Sequence, residues 1–315
     1  MRRNNIPAPA MNPSSTIQVN TTQVPVTLSK TSEIIRWSFV LLTVVGLCFF
    51  IYLIVMMLIV FFTNPQLQEN ARYLLFIYML VNDAFYVFLA FYLLMAGLYL
   101  LYVPVPLCII LYGFTTSVFS VTPYNLVVMA LERYIAICYP LRHTELCTTK
   151  RANMAFSLIW LLLVVLHGTE LAIMFTSVTN LYRYIICKHE TLMVNPIQNV
   201  IRTLNFILCF GSVGIVLIFT YVKIMLVARK VSSQSTLASK AGNTIMLHAF
   251  QLLLYMSSLL TNLTQTYLPK KIEYLPITTF FILTCAPRFL SPVIYGIRDE
   301  ELRKHVKKAL RKYFS

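Results

Sequence analysis

The chain has 315 residues, of which 58% are hydrophobic and only 12% are charged, and its mean hydropathy is +0.72. Soluble domains carry about twice this fraction of charge, so the composition excludes a water-soluble fold and indicates lipid as the solvent. The net charge of +15 is high enough for a nucleic-acid-binding protein. However, most basic residues lie between or after apolar segments, which is the arrangement of membrane proteins.

The first 34 residues are polar and lack the apolar core of a signal peptide. They contain an acceptor motif for N-linked glycosylation at Asn20, whereas the similar motif at Asn12 is blocked by the proline that follows it. We interpret residues 1–34 as an extracellular tail.

Seven apolar segments follow, each long enough to cross about 30 Å of hydrocarbon, which takes roughly 20 residues. They cover approximately residues 35–62, 72–97, 105–139, 152–178, 199–228, 238–262 and 273–296. Helices satisfy their backbone polar groups one span at a time in lipid, and no alternating barrel pattern is present. The sequence therefore predicts an all-α membrane protein with a seven-helix bundle over residues 35–296.

The basic residues predict the orientation of this bundle. Sixteen Lys and Arg residues lie on the side of the C-terminus, nine lie on the opposite side, and Arg288 lies inside the last span. Because basic residues concentrate on the cytoplasmic side, we expect a multi-pass protein of the plasma membrane with an extracellular N-terminus and a cytoplasmic C-terminus.

Residues 297–315 form the last predicted unit. From Asp299 to Tyr313 the apolar side chains recur on one helical face, acidic residues come first, and Lys and Arg follow. We predict an amphipathic eighth helix that lies along the inner membrane surface, with a solvated charged tail as the alternative.

The end of the third span carries a long and specific motif. Residues 129–143 read MALERYIAICYPLRH. This string resembles the signature of vertebrate odorant receptors, a branch of the rhodopsin-like (class A) G-protein-coupled receptor family, with Glu132 where many members have Asp. Further matches are Asp83 in span two, Trp160 in span four, Lys240-Ala241 with Thr244 and His248 in span six, Ser291-Pro292-Val293-Ile294-Tyr295 in span seven, and the 25-residue interval from Cys108 to Arg133. The resemblance covers residues 35–313, and within the odorant receptors the chain is most similar in character to the fish-type branch.

The resemblance implies a chemosensory receptor that binds a small, weakly polar odorant and activates a stimulatory heterotrimeric G protein of the cyclic-AMP pathway. It implies neither an enzyme nor a cofactor, and the sequence shows no metal-spaced His/Cys cluster, phosphate loop or nucleophile–base set. A rhodopsin-like receptor for a non-odorant ligand outside olfactory tissue is the alternative. A transporter or channel, which needs a polar conduction path, is a remote one. Trafficking accessory proteins are further candidate partners, and nucleic acid is not.

The resemblance also assigns the activation residues. An arginine at the end of a span is costly in free energy unless an opposite charge pairs with it or water hydrates it. Glu132 is expected to pair with Arg133 in the resting state until the G protein replaces Glu132 as its partner. The alternative is that the Arg133 side chain simply extends to the lipid headgroups. The implied coupling and switch residues are Glu132, Arg133, Tyr134, Tyr221, Lys240, His248, Pro292 and Tyr295.

A disulfide and a polar core follow from the same resemblance. Cys108 is expected to bond Cys187 in the second outer loop and to hold that loop over the pocket. In the family, the position of Asp83 faces span seven around a polar pocket that often holds sodium. Here the buried Arg288 is predicted to pair with Asp83 in place of that ion, with Thr122 and Ser291 nearby. Backbone carbonyls and water are the alternative partners of Arg288.

The ligand is expected among the outer halves of spans three, five, six and seven. Motif positions assign it the residues Thr115, Thr116, Phe119, Ser120, Asn205, Cys209, Leu259, Phe281 and Thr284. These side chains are mostly apolar with scattered hydroxyls, which suits a molecule held by shape and few hydrogen bonds. Ordinary helix packing is the alternative role of each. Thr115 replaces the aspartate of amine receptors and Cys285 replaces the retinal-binding lysine of opsins, so neither an amine counter-ion nor a retinal anchor is predicted at these positions.

Overall fold

A computed structural model describes residues 30–178, 180–192, 196–231, 250, 253–254, 275–298 and 300–314. The helices are α1 (Lys30–Thr63), α2 (Pro65–Gln68), α3 (Ala71–Leu98), α4 (Val105–Cys138), α5 (Pro140–Leu146), α6 (Thr149–Ser177), α7 (His189–Leu192), α8 (Pro196–Val231), α9 (Leu275–Thr279), α10 (Ala286–Arg298) and α11 (Glu300–Phe314). Strands β1 (Tyr102–Pro104) and β2 (Tyr184–Ile186) lie in the first and second outer loops, and a π-helical segment (Phe280–Cys285) joins α9 to α10.

Six stretches of the described helices are long and apolar enough to cross a membrane. They are Glu33–Thr63, Ala71–Leu98, Val105–Cys138, Thr149–Ser177, Val200–Val227 and Ile277–Ile294, which correspond to predicted spans one to five and seven. Most of the predicted sixth span lies outside the described residues, together with Lys240, His248, Leu259 and the acceptor Asn20. Helix α1 begins at Lys30, five residues before the predicted boundary of the bundle.

Helix α4 is the centre of the bundle and contacts α3, α6 and α8. Its small and hydroxyl-bearing residues let the neighbouring helices approach closely, because little side chain stands between the backbones. At Gly113 a Cβ atom would clash with the Leu171 side chain of α6. By contrast, α1, α6 and α8 expose many large apolar side chains on their outer faces, as expected for helices in contact with lipid.

The π-helical segment before Pro287 explains a break in the regular pattern of span seven. A proline inside a helix has no N–H to donate, and its ring clashes with the carbonyl four residues earlier. A wider turn relieves that clash, and π-bulges are common where a helix is disturbed in this way. The side chains of Phe280–Cys285 are therefore rotated away from the positions that a regular 3.6-residue period gives.

The loops that contain β1 and β2 form a small lid on the N-terminal end of α4. Strands β1 and β2 pair antiparallel, with Val103 opposite Ile185. The disulfide between Cys108 and Cys187 joins the start of α4 to the residue that follows β2, and it confirms the predicted pairing. Both cysteines are buried with Met174 of α6 in one apolar cluster. The lid is thus fixed covalently and by packing.

The predicted amphipathic eighth helix corresponds to α11. Leu302 is buried in the same apolar cluster as Phe61 and Leu75, and Val306 packs against that cluster. The basic residues Arg303, Lys304, Lys307 and Lys308 are exposed. One face of α11 therefore packs against the bundle beside Phe61 and Leu75, and the opposite face carries positive charge.

Candidate functional site

The C-terminal end of α4 brings three charged or titratable side chains together. The Nε of Arg133 lies 3.5 Å from Glu132 Oε2, so the ion pair that the sequence predicts is present in the structure. Glu132 Oε1 lies closer to a residue that was given no role from the sequence, at 3.0 Å from His143 Nε2 in α5. Glu132 is 7% exposed, which makes both contacts stronger than they would be in water.

The other predicted switch residues are distributed around this end of the bundle. The ring of Tyr134 packs against Tyr139 and against Phe219 of α8, with centroids 5.9 and 6.3 Å apart. Tyr221 is 36% exposed on α8. Pro292 lies within α10, as does the backbone of Tyr295, whose side chain is outside the described set.

The polar core lies between spans two, three and seven. Asp83 and Arg288 are both fully buried, and Arg288 Nε lies 3.6 Å from Asp83 Oδ1. The Thr122 hydroxyl donates to the same carboxylate oxygen at 2.8 Å, and it accepts from Asn82 Nδ2 at 3.0 Å. The structure thus brings together Asp83, Thr122 and Arg288 and adds Asn82 to them. The fourth proposed residue, Ser291, is buried and donates its hydroxyl to the Pro287 carbonyl at 3.2 Å.

Arg288 has further favourable contacts in addition to this ion pair. Its Nη1 donates to the Thr284 carbonyl at 2.7 Å. Its Cζ lies 4.0 Å from the centroid of the Tyr86 ring and 5.4 Å from that of Phe119. A desolvated guanidinium over an aromatic ring is stabilised by about 2 kcal/mol. Such compensation explains how a charged side chain is tolerated at this depth.

The same geometry bears on the sodium pocket that the resemblance implies at Asp83. One oxygen of the carboxylate already accepts a hydrogen bond and lies within ion-pair distance of a guanidinium that is present in every copy of the chain. A second cation at this position would be repelled by Arg288. The residues therefore do not fit a sodium ion.

A second polar cluster joins the outer halves of spans three, four and five. Ser120 Oγ lies 3.1 Å from His167 Nε2, and His167 Nδ1 lies 3.4 Å from Glu170 Oε2. Asn205 Nδ2 donates to Glu170 Oε1 at 2.6 Å. These contacts give the buried Glu170 carboxylate its hydrogen-bond partners, and they connect α4, α6 and α8.

A small cavity adjoins this cluster between α6 and α8. It has a volume of about 10 Å³ and is lined by Glu170, Ile173, Met174, Gln198, Ile201 and Arg202. That volume accommodates about one water molecule and not an odorant-sized ligand.

The predicted ligand residues fall into three groups. Phe119 and Cys209 are buried in one cluster with Phe210 on α8. The hydroxyls of Thr115 and Thr116 donate to backbone carbonyls of their own helix, while Ser120 and Asn205 contact the polar cluster of span four. Thr284 supplies the carbonyl that Arg288 binds.

Phe281 packs toward span one. Its ring lies 3.7 Å from where a Cβ of Gly46 would stand, and it packs against the apolar cluster of spans one, two and seven. Its assignment to the ligand stays a prediction.

Sequence reasoning missed His143 and Tyr86, although both follow from simple signals. His143 ends the motif string and lies in a short helix that begins at Pro140, so it is close to Glu132 in sequence and in space. Tyr86 is three residues after Asp83 and thus shares its helix face.

Comparison with known proteins agrees with this geometry. The family model "7 transmembrane receptor (rhodopsin family)" matches residues 58–295. The chain is 29% identical over 194 residues to "Odorant receptor 131-2" of zebrafish, covering 59% of each chain. It is 27% identical over 223 residues to the human "Olfactory receptor 1D2", covering 66% of this chain and 68% of that receptor. The human "Olfactory receptor 52B4" is 29% identical over 216 residues, covering 63% of this chain and 66% of the receptor. The match to the zebrafish receptor thus spans less than two thirds of its length.

Proposed function

Because the chain belongs to the rhodopsin family of seven-transmembrane receptors, we propose that it is an odorant receptor that binds a small, weakly polar molecule and activates a heterotrimeric G protein. The chain is a multi-pass membrane protein and a receptor, not an enzyme. The observation that carries the proposal is the pairing of Glu132 with Arg133 at the end of α4, within a family match that covers most of the bundle.

Burial and charge support the coupling mechanism. The Glu132 carboxylate pairs with the Arg133 guanidinium at the end of α4, so Arg133 is unavailable to a partner in the resting arrangement. A G protein that binds the cytoplasmic face competes with Glu132 for the guanidinium, which favours the state in which the pair is broken. The ligand promotes this change only through its higher affinity for the active arrangement.

The aromatic cluster on spans three and five supports the ligand site. Phe119, Phe206 and Phe210 form a largely apolar surface, with centroids of neighbouring rings 5.9 to 6.3 Å apart. Such a surface favours weakly polar molecules. The proposed ligand class is therefore an odorant held mainly by shape.

The basic residues support the proposed orientation in the plasma membrane. The exposed face of α11 carries Arg303, Lys304, Lys307 and Lys308, which suits the anionic inner leaflet. The N-terminus with its acceptor Asn20 is then extracellular, and trafficking accessory proteins would act on the same topology.

The test is a cyclic-AMP assay in cells that express the full chain, challenged with pooled odorants and stained for surface receptor. We expect a response that Arg133→Ala reduces to the level of untransfected cells at equal surface staining. Arg151→Ala is the matched control, because it removes the same charge from an exposed position at the start of α6. A response that persists in Arg133→Ala contradicts the proposed coupling mechanism, and silence of the surface-expressed wild type contradicts the odorant or the cyclic-AMP assignment.

A further inference from the structure

The carboxylate of Glu132 has a better contact with α5 than with its neighbour in α4. Its Oε1 lies 3.0 Å from His143 Nε2, which is hydrogen-bond distance. The 3.5 Å separation of Oε2 from Arg133 Nε exceeds the usual 2.7–2.9 Å of a charge-assisted hydrogen bond. Within the described residues, Oε2 has no hydrogen-bond partner. Direct hydrogen bonding thus holds Glu132 to α5, while Arg133 is held mainly by charge.

The chemistry of this bond fixes which ring nitrogen of His143 carries a proton. A carboxylate only accepts hydrogen bonds, so His143 must donate from Nε2. The neutral ring does so in one tautomer, whereas the protonated ring does so with a full positive charge. Hydrogen bonds between charged partners are about twice as strong as neutral ones. Histidine is also the side chain that ordinarily changes charge between about pH 5 and 8.

We propose that His143 is a positioning residue whose hydrogen bond to Glu132, here called the His143–Glu132 lock, holds α5 in place in the resting receptor. Protonation of His143 strengthens this lock and lowers basal G-protein activation. The inference rests on the proposed function of the Glu132–Arg133 pair. When His143 releases Glu132, α5 is free to move and the carboxylate is less firmly placed beside Arg133. The second cytoplasmic loop therefore takes part in the resting state.

Other charged and titratable groups lie on the helices that meet at this bond. Helix α4 carries Arg133, α5 carries Arg142 and Glu145, and α6 carries Arg151. Cys147 follows the end of α5 and is close enough to sense Glu132: burial raises the pKa of its thiol, the Glu132 carboxylate raises it further, and Arg151 lowers it. His143 is the group that hydrogen-bonds the Glu132 carboxylate directly.

The first measurement is basal nucleotide exchange by the stimulatory G protein in membranes that contain the full chain, at pH 6 and pH 8. We expect wild-type exchange to be about fivefold higher at pH 8 than at pH 6, after division by the pH 8 to pH 6 ratio of His143→Gln, because neutral His143 loses the charge-assisted part of the bond. His143→Gln keeps an N–H donor but does not titrate, so its own profile gives the response of the G protein alone. His143→Phe keeps the ring and loses the donor, and we expect raised exchange at both pH values.

A second readout does not depend on the G protein. Trypsin cuts after Arg142 and Lys150, so Cys147 is recovered on a peptide of its own, and its alkylation by a maleimide in open membranes can be followed by mass spectrometry. At pH 6 we expect Cys147 to react several-fold faster in His143→Phe than in the wild type, with His143→Gln in between.

The two readouts separate the failure of this inference from that of the proposed function. Absence of exchange in every variant, with Cys147 still protected by His143, overturns the G-protein assignment and supports the lock. Equal Cys147 reactivity in the wild type and His143→Phe overturns the lock, as does a wild-type exchange profile parallel to that of His143→Gln.

Discussion

Removing Arg288 should destabilise the receptor more than removing Arg288 and the charge of Asp83 together. In Arg288→Met the fully buried Asp83 carboxylate keeps the hydrogen bond from the Thr122 hydroxyl but loses its ion pair. Breaking a buried ion pair from one side leaves an uncompensated charge, which costs about 3–5 kcal/mol. Loss of the guanidinium over the Tyr86 ring adds about 2 kcal/mol.

The double variant Asp83→Asn/Arg288→Met removes both charges and keeps side chains of similar size. Replacing a buried pair by neutral groups is often close to neutral in free energy. We therefore expect the double variant to recover several kcal/mol of the loss in Arg288→Met. Asp83→Asn alone should lie between wild type and Arg288→Met, since Arg288 keeps the Thr284 carbonyl and its aromatic contacts.

The assay is thermal unfolding of purified receptor in detergent, followed with a dye that becomes fluorescent on reaction with thiols. Cys209 and Cys285 are free and buried, so their exposure reports loss of the bundle. Arg288→Met should have the lowest unfolding temperature of the four proteins. A double variant no more stable than Arg288→Met would refute the reasoning, because the two residues would then act independently.

Two further predictions concern the outer half of the bundle. Cys108→Ser should lower stability by about 2–4 kcal/mol and reduce surface expression, because it releases the lid and leaves Cys187 unbonded; a thermal midpoint equal to that of wild type would contradict this. Gly113→Ala should cost about 1–3 kcal/mol, since the new methyl group would collide with Leu171. Gly168→Ala is its matched control, because a Cβ there meets nothing within 4 Å, and equal melting temperatures of the two variants would exclude the clash.

Much of the architecture could be predicted because lipid imposes strict rules on a sequence. Long apolar segments were enough to predict the spans, and the resemblance supplied the Cys108–Cys187 pairing. The described residues confirm six of the seven spans and the disulfide. The Asp83–Arg288 contact followed from a similar rule, because two buried charges of opposite sign rarely remain apart.

The remaining features depend on local geometry that a pattern does not encode. The π-helical turn before Pro287 was not predicted, because a regular helical period carries no information about it. His143 was missed although it ends the motif string, because the string does not show that α5 folds back against α4. Ser120 and Asn205 were assigned to the ligand, yet their polar atoms contact span four, where a buried carboxylate needs donors.

The strength of the Arg288 interactions restricts how the receptor can become active. Shifting a two-state equilibrium from 1:99 to 99:1 takes about 5.5 kcal/mol of differential ligand binding. Separating Asp83 from Arg288 without replacement partners costs about 3–5 kcal/mol, which would consume most of what such a ligand supplies. A diffusible ion can leave such a site and be hydrated again, whereas the guanidinium is tied to span seven. Spans two and seven must therefore keep this pair together during activation or provide Arg288 with equivalent partners in the active state.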